Sequence, residues 1–252
     1  MNEQMVRTGL ALVLLLAAAF GAMVYGGLHY RKEMLVAAAR ALVQLIAVAL
    51  VIAWIFTHPQ WAFLYLAVML GAAAYTANRR IGGDGRDRLV VLLAIALGAS
   101  ATVLIVAVTG ALTFSAQSLL PFTAQMIGGA MTTASLAGLR LRDDVKDQFP
   151  VFEGYVALGA TYRQAGREFA HRAAEKSLFP TMDQTKSAGL VTLPGAFVGM
   201  LLGGASPVLA AQIQLLVLIG LMLVQTITAI VTSRLISPLD PHLAAEQVAG
   251  TS

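Results

Sequence analysis

Seven stretches of this sequence, residues 10–28, 37–57, 61–77, 89–109, 117–139, 187–204 and 208–233, are almost entirely apolar. About 20 such residues cross roughly 30 Å of hydrocarbon as a helix. Inside a bilayer every backbone N–H and C=O must be satisfied within the protein, so segments of this kind become helices. Composition agrees, with 58% of residues hydrophobic, 12% charged and a mean hydropathy of +0.76. A soluble domain carries about 25% charged residues. The fold expected is an all-α membrane protein with seven transmembrane helices. Gly71, Gly98, Pro194 and Gly195 lie inside these stretches. In a membrane bundle such residues allow close helix approach or a kink.

The basic residues set an orientation. With the N-terminus outside, only Arg7 of the 17 Lys and Arg residues lies outside, and the other sixteen fall on the inner side. That matches the positive-inside rule and predicts an N-out, C-in chain in the plasma (inner) membrane. The net charge of +4 is thereby explained by lipid orientation, without nucleic acid. The first stretch is expected to stay as a span rather than be cleaved as a signal peptide. Its N-flank has Arg7 opposed by Glu3, while Arg31 and Lys32 follow it, the reverse of a secretory signal. We expect one transmembrane domain over 1–236 and a polar, flexible tail over 237–252. Inside the domain, the long charged loop 140–186 faces the cytosol.

That loop reads Pro150-Val-Phe-Glu-Gly-Tyr-Val-Ala-Leu-Gly159, then Ala-Thr-Tyr-Arg-Gln-Ala. Pro150 suits a first helical position and Glu153 complements the helix dipole. Val151, Tyr155 and Leu158 recur at helical spacing, giving an amphipathic helix that Gly159 ends in the left-handed conformation. Thr161 caps a second helix, residues 162–178, carrying Arg163, Arg167, Arg172 and Lys176 and stopping at Pro180. A short crosswise helix, a glycine turn and a longer basic helix make a lever.

Other signals are weaker. Arg142-Asp-Asp-Val-Lys-Asp147 holds the spacing by which Asp143, Asp144 and Asp147 would bind Mg²⁺ and pyrophosphate in a membrane prenyltransferase. No second acidic cluster accompanies it, since Asp84 and Asp87 sit in a Gly/Arg loop, and the acids are expected to offset Arg140, Arg142 and Lys146. His29, His58, His171 and His242 are scattered, and cysteine is absent. No metal site is visible in that pattern. The methionines of the spans, Met69, Met126, Met131, Met200 and Met222, read first as pliable packing, with Met126 and Met131 the two to test as soft ligands. An ion-coupled carrier would place ionisable groups in the membrane, and the seven stretches hold essentially none. Their polar groups are hydroxyls and glutamines, of which Gln44, Gln125 and Gln225 lie deep. A channel would need a charge ring or a carbonyl filter, and neither is seen.

Glu153, Gly154, Tyr155, Leu158 and Gly159 together resemble the EAA loop of ABC-transporter permeases, which implies docking of the short helix in a cleft of an ATPase subunit. Gly154-Tyr155 stands where that pattern has two alanines. Gly189-Leu-Val-Thr-Leu-Pro-Gly195, with Gly199 and Leu202-Gly-Gly-Ala-Ser-Pro207, resembles the sixth span of the FetB-type iron-export permease family, which includes plant half-transporters linked to aluminium tolerance. Met131-Thr-Thr-Ala-Ser-Leu136 and Arg40-Ala-Leu-Val-Gln44-Leu resemble its fifth and second spans. Ala130 replaces a common Asn, and Ala196, Phe197 and Met200 replace a Met- and Gln-rich run. The resemblance implies a homodimeric permease exporting a metal ion, iron first. The candidate pathway residues in this sequence are Gln44, Gln125, Met126, Met131, Thr132, Pro194 and Gly195, the glutamines serving otherwise as hydrogen-bond partners of a neighbouring helix. None of Lys32, Lys146, Lys176 and Lys186 follows a glycine, so no P-loop is present. The resemblance therefore implies a separate cytosolic ATP-binding-cassette subunit that holds ATP and Mg²⁺, while this chain binds no cofactor and is not itself an enzyme.

Overall fold

The computed structural model describes residues 3–238, and among them the regular structure is helical apart from one isolated bridge, Ala188 to Thr192. Two compact units divide at Pro59. The first holds α1 (Glu3–Tyr25) and α2 (Arg31–Thr57), joined by a turn in which Gly27 takes φ +67°. No residue of α1 is buried, and from Gly9 onward its side chains are apolar on every side. A helix apolar all round belongs in hydrocarbon.

The second unit begins at Gln60. After a 3₁₀ turn (Pro59–Trp61) it holds α3 (Ala62–Ile81), α4 (Gly85–Thr109), α5 (Ala116–Asp147), α6 (Phe149–Ala157), α7 (Tyr162–Ala165), α8 (Arg167–Ser187), α9 (Gly195–Leu202) and α10 (Pro207–Leu235). Helix α10 packs against α4, α5, α8 and α9, and α3 packs against α4 and α5. Small residues bring the axes close. A Cβ on Gly98 of α4 would lie 2.8 Å from the Val224 carbonyl oxygen of α10, and one on Gly138 of α5 would lie 2.5 Å from Ile81 of α3. In lipid, where apolar surface gains nothing by leaving solvent, such backbone approach drives association.

The seven expected spans meet this structure unevenly. Five helices are long and apolar enough to cross a membrane: α1, α2, Pro59–Ile81, α4 and α10. The chain is thus a multi-pass membrane protein. Helix α5 contains the fifth stretch, but its 32 residues make it about 48 Å long, and it continues to Asp147. Its apolar content is diluted by Gly128, Gly129, Thr132, Thr133, Ser135 and Gly138, which face neighbouring helices or a cavity.

The sixth stretch is not one helix, and this corrects the expectation for 187–204. The chain unwinds over 188–194, where the Gly189 N–H donates to Thr192 O at 2.8 Å, and only the eight residues of α9 follow. The expected helix 162–178 is also replaced. Four residues of α7 precede Gly166, and α8 then runs through Pro180 to Ser187. Proline normally ends a helix because it lacks the N–H and crowds the preceding turn. Here α5 and α10 flank α8 along its length and hold it in line. Pro194 is the N-cap of α9 rather than a kink within a span.

Two hydrogen bonds and one shared cavity set the register of this segment against α10. Ala170 shares a cavity wall with Ser233 and Arg234, the Thr181 hydroxyl donates to Gln225 Oε1, and the Phe197 N–H donates to Gln214 Oε1 at 3.1 Å. Helices α8 and α9 together are therefore a broken antiparallel partner of α10. The close approach of α4 to α10 gives a test. Gly98→Ala should destabilise the detergent-solubilised protein by about 1–3 kcal/mol through overpacking. Gly128→Ala, with nothing within 4 Å of its added Cβ, should leave the thermal unfolding midpoint nearly unchanged.

Candidate functional site

One end of the second unit gathers the arginines, and we call it the basic end. Here α3 closes with Arg79 and Arg80, α4 opens with Arg86 and Arg88, α5 passes Arg140 and Arg142, and α10 closes with Arg234. Asp84 caps α4, its side chain accepting from the Asp87 N–H at 2.8 Å. Asp87 is therefore not a loop residue as expected, but lies in the first turn of α4, 2% exposed. Its Oδ2 accepts from Arg142 Nη2 at 2.6 Å, and its Oδ1 accepts from the Ser237 N–H at 3.1 Å. Arg142 Nη1 also donates to Ile81 O at 2.8 Å. This corrects the expectation that Arg142 serves to offset its own neighbours. Asp144 likewise turns outward to Lys176 Nζ at 2.9 Å, so α5 is tied to α8. Asp143 and Asp147 are exposed, and among the described residues no three His, Asp or Glu side chains are placed to hold a metal ion.

From this end projects α6. Gln148 caps α5 and α6 alike, its carbonyl accepting from the N–H groups of Val151 and Phe152. Pro150 stands in the first turn, as expected. At the far end Gly159 takes φ +92°, the Gly159 N–H donates to Val156 O at 2.9 Å, and the Ala160 N–H donates to Tyr155 O at 3.0 Å. These two bonds are the Schellman pattern that a glycine completes. Thr161 and Gln164 then form a capping box for α7. The inward side of α6 is Phe152, 1% exposed, with ring centroids 6.2 Å from Phe149, 6.1 Å from Tyr162 and 6.3 Å from Phe169. Phe169 belongs to α8, and Arg172 lies over its ring at 5.0 Å.

The face of α6 expected to be apolar is the outward one. Val151 is 51%, Tyr155 43% and Leu158 88% exposed, and Glu153, Gly154 and Gly159 are exposed beside them. A contiguous exposed apolar face on an anchored helix marks an interaction site. Next to it, a cavity of about 490 Å³ is lined by Tyr155 together with Arg167, Glu168, His171 and Arg234.

A second feature lies deeper. Gln225 of α10 is buried, and its Oε1 accepts from Thr133 Oγ1 of α5 at 2.9 Å and from the Thr181 hydroxyl of α8. Beside it is a cavity of about 320 Å³ whose wall includes Gln125, Thr132, Thr181, Gln184 and Gln225. Of the pathway residues suggested by the sequence, Gln125 and Thr132 line this cavity, with the Thr132 hydroxyl donating to Gly128 O at 3.2 Å. Met126 is fully buried, its sulfur within 3.2 Å of a Cβ built on Gly220, so it packs the core between α5 and α10. Met131 is half-buried, packed against the same core. Gln44 is exposed on α2 in the first unit, and Pro194 and Gly195 mark the break before α9. Sequence reasoning missed Thr133, Thr181 and Gln184; only the register of α8 on α10 brings them together. His242 and residues 239–252 of the expected tail lie outside the described residues.

The family model described as uncharacterised protein family UPF0014 matches residues 5–238. The chain belongs to UPF0014. The UPF0014 relatives include Protein ALUMINUM SENSITIVE 3 of Arabidopsis thaliana, 34% identical over 93% of this chain and 86% of its own length. The UPF0014 membrane protein STAR2 of Oryza sativa subsp. japonica is 36% identical over 82% of this chain and 73% of its own. The probable iron export permease protein FetB of Escherichia coli (strain K12) is 28% identical over 81% and 80%. The family expected from the motifs is the family found. No solved structure matches the chain.

The buried pair at the basic end is directly testable. Arg142→Met strands the Asp87 carboxylate and should cost about 3–5 kcal/mol of stability. Adding Asp87→Asn should recover part of that loss. Thermal unfolding of the two variants in detergent reads the difference.

Proposed function

We propose that this UPF0014 protein is the membrane permease subunit of an ABC transporter, driven by a separate cytosolic ATPase that binds ATP and Mg²⁺. The observation that carries this reading is α6. It presents Val151, Tyr155 and Leu158 outward and is pinned inward by Phe152. In this reading the basic end is cytosolic, the chain is N-out and C-in across the plasma (inner) membrane, and the exposed face of α6 sits in a cleft of the ATPase. Arg167 and Arg234 beside it complement acidic groups on that partner.

Closure of the ATPase on ATP would push α6 towards the membrane. Gln148 leaves little slack between α6 and α5, and Phe152 against Phe169 passes the same push to α8. Gly159 sets the bend, and Glu153 orients the helix or contacts the partner. The spans then switch a pathway between two access states, the break at 188–194 being the place where α8 and α9 can turn relative to each other. The exposed polar groups Gln125, Thr132 and Gln184 need water or protein opposite them, which supports a pathway at an interface between two copies of the chain. Export of a metal ion, iron first, is supported by the name of the FetB relative.

One observation favours a second reading. Helix α8 carries Asp183 and Lys186 beyond Thr181, and ionisable groups at such depth serve coupling ions in secondary carriers. Co-purification with the ATPase, followed by ATP hydrolysis and transport in liposomes, separates the two. Glu153→Lys and Gly159→Leu should each lower transport-coupled ATP hydrolysis by about tenfold or more, the second because a left-handed backbone strains any side chain with a Cβ. Unchanged assembly and hydrolysis in both variants sinks the docking role of α6. Transport that continues without the ATPase establishes the carrier.

A further inference from the structure

The register of α8 on α10 sets the depth of two charged residues that no apolar stretch contains. Arg234 is the sole charged residue of α10 and lies at its basic end. Gln225 is ten positions before Leu235, which places it about 15 Å inside that end at 1.5 Å per residue. Thr181 hydrogen-bonds Gln225, and α8 runs on away from the basic end to Ser187. Asp183 and Lys186, two and five positions beyond Thr181, therefore lie about 18–22 Å inside. Both are exposed, as is Gln184 between them. Among the described residues neither charge has an ion-pair or hydrogen-bond partner.

Unpaired charges at that depth are unstable against lipid and occur on surfaces facing water or a protein cavity. On one flank the surface is polar, since Gln184 shares the cavity wall with Gln125 and Thr132, while Phe179 and Met182 on α8 are exposed as well. On α4 the opposite pattern holds. Gly98 of α4 meets Val224, so Leu97 sits at nearly the same depth as Gln225, and Leu93 and Leu97 are 56% and 55% exposed with apolar neighbours. At similar depth the unit thus presents an apolar face on α4 and a face that carries charges on α8.

We propose that the α8 face bearing Asp183, Gln184 and Lys186 borders a water-filled passage at mid-membrane, and that the cargo passing it is a hydrophilic, charged solute. The nature of the cargo rests on the permease reading, whereas water access at these positions does not depend on an ATPase. The sequence contains no cysteine, so single replacements report without background. Asp183→Cys, Gln184→Cys and Lys186→Cys, with Leu97→Cys as the lipid-facing control, are labelled in intact membrane vesicles of both orientations. The reagent is a membrane-impermeant cationic methanethiosulfonate, and only variants that elute at the native size are compared. From at least one side, 183 and 186 should react at least tenfold faster than 97. Equal, slow reaction at 183, 186 and 97 overturns the passage. Fast labelling alongside unchanged hydrolysis in Glu153→Lys and Gly159→Leu keeps the passage and removes the α6 docking role, so the two failures are distinguishable.

Discussion

The contact between Asp87 and Arg142 organises the second unit, because one carboxylate and one guanidinium engage four chain segments at once. Arg142 reaches from α5 to the last carbonyl of α3, Asp87 holds the start of α4, and the other oxygen of Asp87 takes the N–H of Ser237 just past α10. Burying such a pair gives little net stability, and its value is positional, since each partner is costly without the other. It fixes where the helices end relative to one another, and so fixes the platform from which α6 projects.

Above that platform the packing is of two kinds. Helices α4 and α10 touch through backbone at Gly98 and through Thr228 Oγ1, which donates to Ala94 O at 3.3 Å. Surfaces fitted at this distance slide poorly. Helix α8 instead meets α5 and α10 through hydroxyls and an amide around Gln225, next to a cavity, and its continuation is interrupted at 188–194. Rigid pairing on one side and a polar, interrupted partner on the other set which half of the unit is able to rearrange.

What the sequence disclosed follows the range of the forces involved. The ends of α6 were readable because Pro150, Gly159 and Thr161 act on backbone within one turn of themselves. The apolar stretches were readable because hydrocarbon imposes a length. The passage of α8 through Pro180 was not readable, since local preference says stop and only α5 and α10 reverse it. The role of Asp87 was hidden for the same reason: its partner lies 55 positions away, and an Asp beside Gly and Arg looks like any loop acid. Of the deep site, Gln125 is legible as a polar group deep in an apolar stretch and Thr132 lies in the fifth-span motif, whereas Thr181 and Gln184 fall in the loop expected to face the cytosol. An exposed face on α6 was the reverse of the usual meaning of amphipathicity, where the apolar side turns inward.

The interrupted partner of α10 has a consequence for how the protein is made. A nascent segment enters the bilayer on its own when it is apolar enough to leave the translocon, and a central Asp or Lys opposes this by about 2.5–3.5 kcal/mol each. The 178–202 region carries Asp183 and Lys186 in its first half and an unwound turn in its middle, and both oppose partition of the segment on its own. Its hydrogen-bonding partners Gln214 and Gln225 lie on α10, which leaves the ribosome later. Placement of α8 and α9 against α10 is therefore a late event, completed only once the last helix has been synthesised.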